Sequence, residues 1–172
     1  MERRVVRAGR GFAFLGALAL AVFAVAHADA AASAGMGTLA EQAFLAQNAK
    51  VDGVISLPGL QYKIVKSGPV DGPHPRRADD ITVRYVGAFP DGKVFSATLD
   101  NGAGTEVFPL QKLIPGWIAA LQLMRPGDVW MLYVPAYLAY GAAGKSYIPP
   151  DSTLVFKVEL VNVAPHVDAP AH

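Results

Sequence analysis

The chain has 172 residues, of which 15 are Lys or Arg and 14 are Asp or Glu, and it contains no cysteine. This charge balance argues against nucleic-acid binding, because a basic surface is needed to release counterions from phosphate. The lack of cysteine excludes disulfides, cysteine nucleophiles and cysteine-ligated metal sites, so packing alone must stabilise the fold.

The first 28 residues are predicted to be a secretory signal. Four arginines precede a charge-free run over 11–26, which is shorter than the roughly 20 residues of a transmembrane helix. Small residues at Ala26 and Ala28 fit a cleavage site before Asp29. Removing the four Arg and one Glu of this segment leaves 11 basic and 13 acidic residues. We therefore predict a periplasmic or secreted protein; the alternative is an inner-membrane protein anchored by its uncleaved signal.

Residues 29–57 are predicted to be a short helical segment. The sequence TLAE at 38–41 matches a capping box, in which the first and fourth side chains each bond to the other residue's backbone N–H. Good helix formers follow until Asp52 and Gly53. The segment could pack on the following domain or be the remnant of a dimerising arm. About three helical turns offer little interface area, which favours packing on the domain.

Alternating apolar residues predict strands in much of the remaining chain. The pattern covers residues 60–64, 81–85 and 154–160. Val129, Met131 and Tyr133 mark another strand, and shorter strands are predicted at 93–95 and 106–108. The Pro- and Gly-rich stretch from 68 to 77 is predicted to form a loop.

One segment has helical spacing instead. Apolar residues at 117, 120, 121 and 124 share one face of a helix that is predicted to begin near Pro115 and to stop at Pro126 and Gly127. The strands follow one another too closely for βαβ crossovers. The fold class is therefore predicted to be α+β, with a mainly antiparallel sheet whose apolar face is covered by this helix.

The sequence shows no pattern for metal, covalent or phosphoryl chemistry. Its four histidines are scattered, no serine lies in G-x-S-x-G, and GAAG at 141–144 lacks the Lys-Ser/Thr ending of a phosphate loop. No metal or cofactor is predicted. Several aromatic residues lie beside turns and strand ends, which favours an apolar pocket as the functional site.

Five segments resemble, in the same order, the motifs of the FKBP-type peptidyl-prolyl cis-trans isomerases. They are VRYVG at 83–87, DGKVF at 91–95, LIPGW at 113–117, YLAYG at 137–141 and IPPDSTLVFKVEL at 148–160. The resemblance places this domain at 58–164, followed by a flexible tail at 165–172. The helical segment and LQYK at 60–63 further resemble the periplasmic and macrophage-infectivity-potentiator branch. That branch's long dimerising arm has no counterpart in this sequence. The resemblance therefore predicts neither a monomer nor a dimer.

The resemblance implies a half-barrel sheet wrapped around the helix, with the substrate pocket between them. It assigns the aromatic walls of the pocket to Tyr85, Phe95 and Phe156. It assigns the floor under the prolyl ring to Trp117, and the aliphatic rim to Leu113, Ile114 and Ile148. The Tyr140 hydroxyl and the Ile114 backbone N–H are implied to donate hydrogen bonds to substrate carbonyls. The alternative for each aromatic residue is an ordinary place in the core.

The resemblance also implies the partners, which are proline-containing polypeptides such as unfolded or folding exported proteins, together with macrolides such as tacrolimus or rapamycin. Two positions depart from the family pattern. Ser96 stands among the substrate-binding residues where the family usually has Asp, and Glu106 lies near a position that is commonly apolar or aromatic. The expected function is an active isomerase for exported proteins. The alternative is a catalytically weakened FKBP domain that acts as a chaperone or binding module.

Overall fold

The computed structural model describes residues 38–98 and 104–166. The predicted signal, its cleavage site and most of the predicted tail lie outside these residues. Among the described helices, none combines the length and the apolar character that a membrane crossing requires.

The first helix, α1 (Leu39–Asn48), is capped by Thr38, whose Oγ1 accepts a hydrogen bond of 3.2 Å from the Glu41 backbone N–H. The reciprocal half of the predicted capping box is replaced by a tertiary contact, because the Glu41 side chain is buried against residues of the main domain. Gln61 fastens the other end of the helix: its Nε2 donates to the Leu45 carbonyl and its Oε1 accepts from Asn48, both at 2.9 Å. Of the two expectations for this segment, packing on the domain is the one that the structure shows.

Seven strands form one antiparallel sheet in the described part of the chain, with the order β1-β2-β6-β7-β3-β4 and with β5 pairing with β3. The strands are β1 (Val54–Leu57), β2 (Leu60–Lys66), β3 (Asp79–Ala88), β4 (Val94–Ala97), β5 (Glu106–Pro109), β6 (Val129–Val134) and β7 (Leu154–Pro165). Strand β1 is an addition to the predicted set and pairs with β2. The last strand extends to Pro165, a residue that had been predicted as part of the tail.

The buried face of the sheet follows the predicted alternation in β7, where Leu154, Phe156, Val158 and Leu160 are all buried. In β6 the predicted strand is present, but the residues that marked it, Val129, Met131 and Tyr133, are not the buried ones. The even-numbered residues Trp130, Leu132 and Val134 are buried, whereas the odd-numbered residues are only half-buried. Every residue of β6 is apolar, so its sequence contains no alternation that could indicate the buried face.

The second helix, α2 (Pro115–Leu121), begins at Pro115 as predicted but ends before the predicted stop at 126–127. The chain then tightens into a turn in which the Met124 N–H donates to the Leu121 carbonyl at 3.1 Å. This turn keeps Met124 on the buried face with Trp117, Ala120 and Leu121. The predicted α+β fold, with a helix covering the apolar face of an antiparallel sheet, is confirmed.

Candidate functional site

A cavity of about 510 Å³ is lined by residues of the sheet, of α2 and of the loops between them. All nine residues that the sequence predicted for the site line this cavity: Tyr85, Phe95, Ser96, Leu113, Ile114, Trp117, Tyr140, Ile148 and Phe156. Six further lining residues were missed: Phe108, Pro109, Lys112, Lys145, Ser146 and Tyr147. The missed residues lie in β5, in the turn after it and in the loop that follows Tyr140, where the sequence has little periodicity to guide a prediction.

Trp117 lies at the centre of the aromatic cluster and is only 4 % exposed. Its ring meets those of Tyr85 and Phe156 almost perpendicularly, with centroid separations of 5.2 Å in both cases. Phe95 in turn contacts Phe156 edge-on at 5.7 Å. Such edge-to-face arrangements are favoured by the ring quadrupoles. The cluster therefore forms one continuous apolar surface with fixed ring orientations.

Gly87 in β3 allows these rings to approach the sheet closely. A Cβ atom at this position would lie 2.8 Å from Phe95 Cζ and 2.9 Å from Phe156 Cε1, which is closer than side chains normally pack. The two phenyl rings thus occupy the space that a side chain at position 87 would need.

The Tyr85 hydroxyl is held 2.9 Å from the Ser96 hydroxyl, and either group can be the donor. Burial raises the pKa of Tyr85; the hydrogen bond from Ser96 opposes this effect, and the nearby Glu106 carboxylate adds to it. Tyr85 therefore stays a neutral hydroxyl at physiological pH. Glu106 does not line the cavity, and its carboxylate bears on the site only by adding to the raised pKa of Tyr85.

Tyr140 stands at the cavity rim between two short 3₁₀ turns, Ala136–Leu138 and Gly141–Ala143. Burial raises the pKa of Tyr140, as does the neighbouring Tyr147 to a smaller degree. The Lys145 ammonium lies 5.3 Å from the centroid of the Tyr140 ring, within cation–π range. The Tyr140 hydroxyl is thus a neutral hydrogen-bonding group at the edge of an apolar cavity.

The site has the composition of a binding pocket for an apolar group. The two histidines in the described residues lie elsewhere, His74 against the Met124 carbonyl and His166 against Asp80. Nor do His, Cys, Asp and Glu side chains within 38–98 and 104–166 gather into a group of three or more that could hold a metal ion. The cavity offers aromatic surface, aliphatic surface, a few hydroxyl groups and, at its exposed edge, the side chains of Lys112 and Lys145.

Comparisons with known proteins agree with the fold. Residues 72–161 match the family described as FKBP-type peptidyl-prolyl cis-trans isomerase. The chain is 45% identical over 134 residues to the probable FKBP-type peptidyl-prolyl cis-trans isomerase FkpA of Neisseria meningitidis serogroup B, covering 76% of this chain and 47% of that protein. It is 43% identical over 123 residues to the outer membrane protein MIP of Legionella longbeachae, covering 70% of this chain and 52% of that protein.

The fold is similar to the crystal structure of FkpA from Escherichia coli, with a TM-score of 0.71, 36% sequence identity and coverage of 84% of this chain and 67% of that one. The chain spans about half the length of the curated relatives that it matches. The family match covers more than half of the chain, and its range contains every residue that lines the cavity. The chain therefore belongs to the FKBP-type peptidyl-prolyl cis-trans isomerases.

Proposed function

We propose that this protein accelerates cis/trans rotation about X–Pro bonds in exported proteins while they fold. The observation that carries the proposal is the cavity itself, in which Trp117 is flanked edge-on by Tyr85 and Phe156. A prolyl ring is apolar and compact, and it matches a pocket whose inner walls are aromatic and whose lysines lie at the exposed edge.

The physics of the reaction suits such a pocket. Rotation about the X–Pro bond crosses a barrier of about 18–20 kcal/mol that arises from amide resonance. The twisted imide has lost that resonance, so its carbonyl is less polar than that of the planar form. A dry apolar site can therefore favour the twisted state over the hydrated planar states. An acceleration of about 10⁶ requires roughly 8 kcal/mol of differential stabilisation.

Eight of the lining residues are proposed to have the roles that the family resemblance implies. Trp117 supports the prolyl ring from below, and Tyr85, Phe95 and Phe156 enclose it. Leu113, Ile114 and Ile148 contact the residues on either side of proline. The Tyr140 hydroxyl and the Ile114 backbone N–H donate hydrogen bonds to substrate carbonyls. No proton is transferred and no covalent bond is broken in this scheme.

A second candidate function rests on Ser96. Its hydroxyl contacts Tyr85 at 2.9 Å in the place where the family usually has a carboxylate. A neutral acceptor holds the Tyr85 hydroxyl less strongly than a charged one. The domain would then bind proline-containing segments with little turnover and serve as a chaperone or binding module.

The clients and the location are part of the same proposal. The predicted signal implies that the protein meets polypeptides that fold outside the cytoplasm, and one relative, from Legionella longbeachae, is described as an outer membrane protein. Macrolides such as tacrolimus or rapamycin are proposed as ligands of the same cavity, because they present a bulky apolar surface to it.

Exchange NMR on a short Xaa-Pro peptide tests the primary function. Adding a catalytic amount of the purified protein should speed cis/trans exchange of the peptide, and Trp117→Ala, with its folding verified, should remove most of the effect. Peptide resonances that shift on binding while the exchange rate stays at the uncatalysed value would favour the binding module. If the protein neither speeds the exchange nor shifts the peptide resonances, both candidate functions are refuted.

A further inference from the structure

A buried carboxylate in α1 contacts both ends of the segment that forms one side of the cavity. Residues 136–153, which we name the rim segment, begin at Ala136 after β6 and end at Thr153 before β7. One oxygen of Glu41, Oε1, accepts a hydrogen bond of 2.5 Å from the Ala136 N–H and one of 2.9 Å from the Thr153 hydroxyl. Glu41 is 95 residues away from Ala136 in sequence and 112 away from Thr153.

The three residues that form these two bonds are buried from solvent. Glu41 is 5% exposed, Ala136 3% and Thr153 4%. A buried donor that loses its acceptor is left without water to replace it, so losing either bond would leave a buried polar group unsatisfied. Glu41 therefore links the two ends of the rim segment by two buried hydrogen bonds.

The rim segment carries a third of the cavity lining, since Tyr140, Lys145, Ser146, Tyr147 and Ile148 all belong to it. Its interior is held by local backbone bonds, such as those that Lys145 and Ile148 exchange at 3.0 and 2.8 Å. At its base, the β6–β7 ladder ends at the pair Val134 and Leu154. Glu41 joins the two strand ends beyond that pair, because it bonds to both Ala136 and Thr153.

The helix that carries Glu41 is itself fixed to the sheet. Gln61 of β2 bonds to Leu45 and Asn48 of α1, and the ring of Phe44 packs against that of Tyr133 with a centroid separation of 6.3 Å. Helix α1 also precedes the residues 72–161 that match the family. A segment outside the matched region thus reaches the base of a loop that lines the cavity.

We propose that Glu41 is a positioning residue of the isomerase site, holding the rim segment so that Tyr140 and Ile148 keep their places at the cavity. The inference rests on the proposed function as far as catalysis is concerned. The mechanical part, in which Glu41 orders the rim segment, can be observed without any activity.

The test compares Glu41→Ala with Asn48→Ala in the full protein after export. Both variants remove a buried contact of α1, but only Glu41 contacts the rim segment. We expect Glu41→Ala to speed amide hydrogen exchange at residues 138–148 and to lower kcat/KM for a proline peptide by about tenfold, mainly by raising KM. Asn48→Ala should leave both quantities within about twofold of the parent, even if it lowers the melting temperature.

A conservative variant separates charge from shape. Glu41→Gln keeps an acceptor oxygen at the same place, so it should restore most of the protection and activity that Glu41→Ala loses. Thr153→Val removes one of the two donors while keeping the shape of the side chain, so it should give part of the Glu41→Ala effect. In a double variant with Glu41→Ala, it should add little to the effect of Glu41→Ala alone.

The outcomes are distinguishable. If Glu41→Ala matches Asn48→Ala in rim exchange and in KM, Glu41 is only a stabilising contact and the proposal is wrong. If the parent protein itself shows no isomerase activity, the proposed function fails, while the exchange experiment still shows whether Glu41 orders the rim segment.

Discussion

Ser96 lines the cavity at a position where the family resemblance leads us to expect Asp. Its hydroxyl bonds to Tyr85, so the contact that orients this wall of the pocket is present, although it is neutral. The surrounding DGKVF motif keeps the family pattern, and Asp91 Oδ1 closes its turn by accepting from the Lys93 N–H at 2.9 Å. The backbone at position 96 is thus expected to accept a carboxylate without rearrangement.

We expect Ser96→Asp to raise kcat/KM or the affinity for tacrolimus, because a carboxylate would hold the Tyr85 hydroxyl by a charge-assisted hydrogen bond. Peptide isomerisation and a tacrolimus titration measure the two quantities, and Ser96→Ala is the matched control that removes the hydroxyl contact. A Ser96→Asp protein that fails to fold would show that this part of the chain has diverged from the family.

Tyr140 and Trp117 are expected to contribute unequally to activity and to stability. Tyr140→Phe removes one hydroxyl and should reduce kcat/KM by no more than about tenfold, since one hydrogen bond contributes about 0.5–1.5 kcal/mol. Trp117→Ala opens the floor of the pocket and removes a core side chain, so it should abolish most activity and lower the free energy of unfolding by about 3–5 kcal/mol. Denaturant unfolding must accompany the kinetics. A larger kinetic loss in Tyr140→Phe than in a folded Trp117→Ala would contradict these roles.

At the scale of elements, β7 and the start of α2 could be predicted because each carries a clear local signal. The alternation of β7 marks its buried face, and Pro115 marks a helix start. Three features had no such signal. Strand β6 is apolar throughout, β1 has only four residues, and the local capping-box pattern of Glu41 is overridden by its tertiary contact with Ala136.

The nine site residues could be predicted as a group because the family motifs fix their spacing, and the fold brings all nine to one cavity. Lys112, Lys145 and Tyr147 could not be, because exposed loop residues at a cavity mouth follow no periodic pattern. The role of Glu41 was hidden for another reason. Its partners Ala136 and Thr153 are distant in sequence, and only the folded sheet brings them together.

The close packing of β3 against the pocket rings gives a prediction about an element. Gly87→Ala places a methyl group within 3 Å of Phe95 and Phe156, so both rings must shift toward the cavity. We expect kcat/KM to fall and the free energy of unfolding to decrease by about 1–3 kcal/mol. Gly116→Ala is the comparison, because its Cβ would clash with Val134 and not with the rings of Phe95 and Phe156. Unchanged kinetics in a Gly87→Ala protein would mean that the ring positions do not matter for turnover.

At the scale of the whole molecule, the sequence predicts that the exported protein begins near Asp29. The charge-free run before it is short and ends in small residues, which favours cleavage over anchoring. Mass spectrometry of the protein recovered after export should give an N-terminus near Asp29. An intact Met1 in the membrane fraction would show an anchored protein instead.

The mechanism makes the pH dependence of the whole reaction informative. The pKa values of Tyr85 and Tyr140 are raised above 10.0 chiefly by burial, so both hydroxyls stay protonated well beyond pH 8. A raised pKa means that the folded state holds its proton longer than the unfolded state, so this effect lowers stability only at alkaline pH, above about 10. Between pH 6 and 8, neither tyrosine should alter activity or folding.

The central claim is that a largely apolar cavity, with no histidine among its described lining residues, catalyses proline isomerisation. The pH profile of a proline-limited refolding reaction tests it most directly. The account predicts that catalytic amounts of the protein speed the slow refolding phase by a factor that is nearly constant between pH 6 and 8. No acceleration at any pH would contradict the function. A limb near pH 6.5, the ordinary range of histidine, would contradict the mechanism, because neither His74 nor His166 lines the cavity.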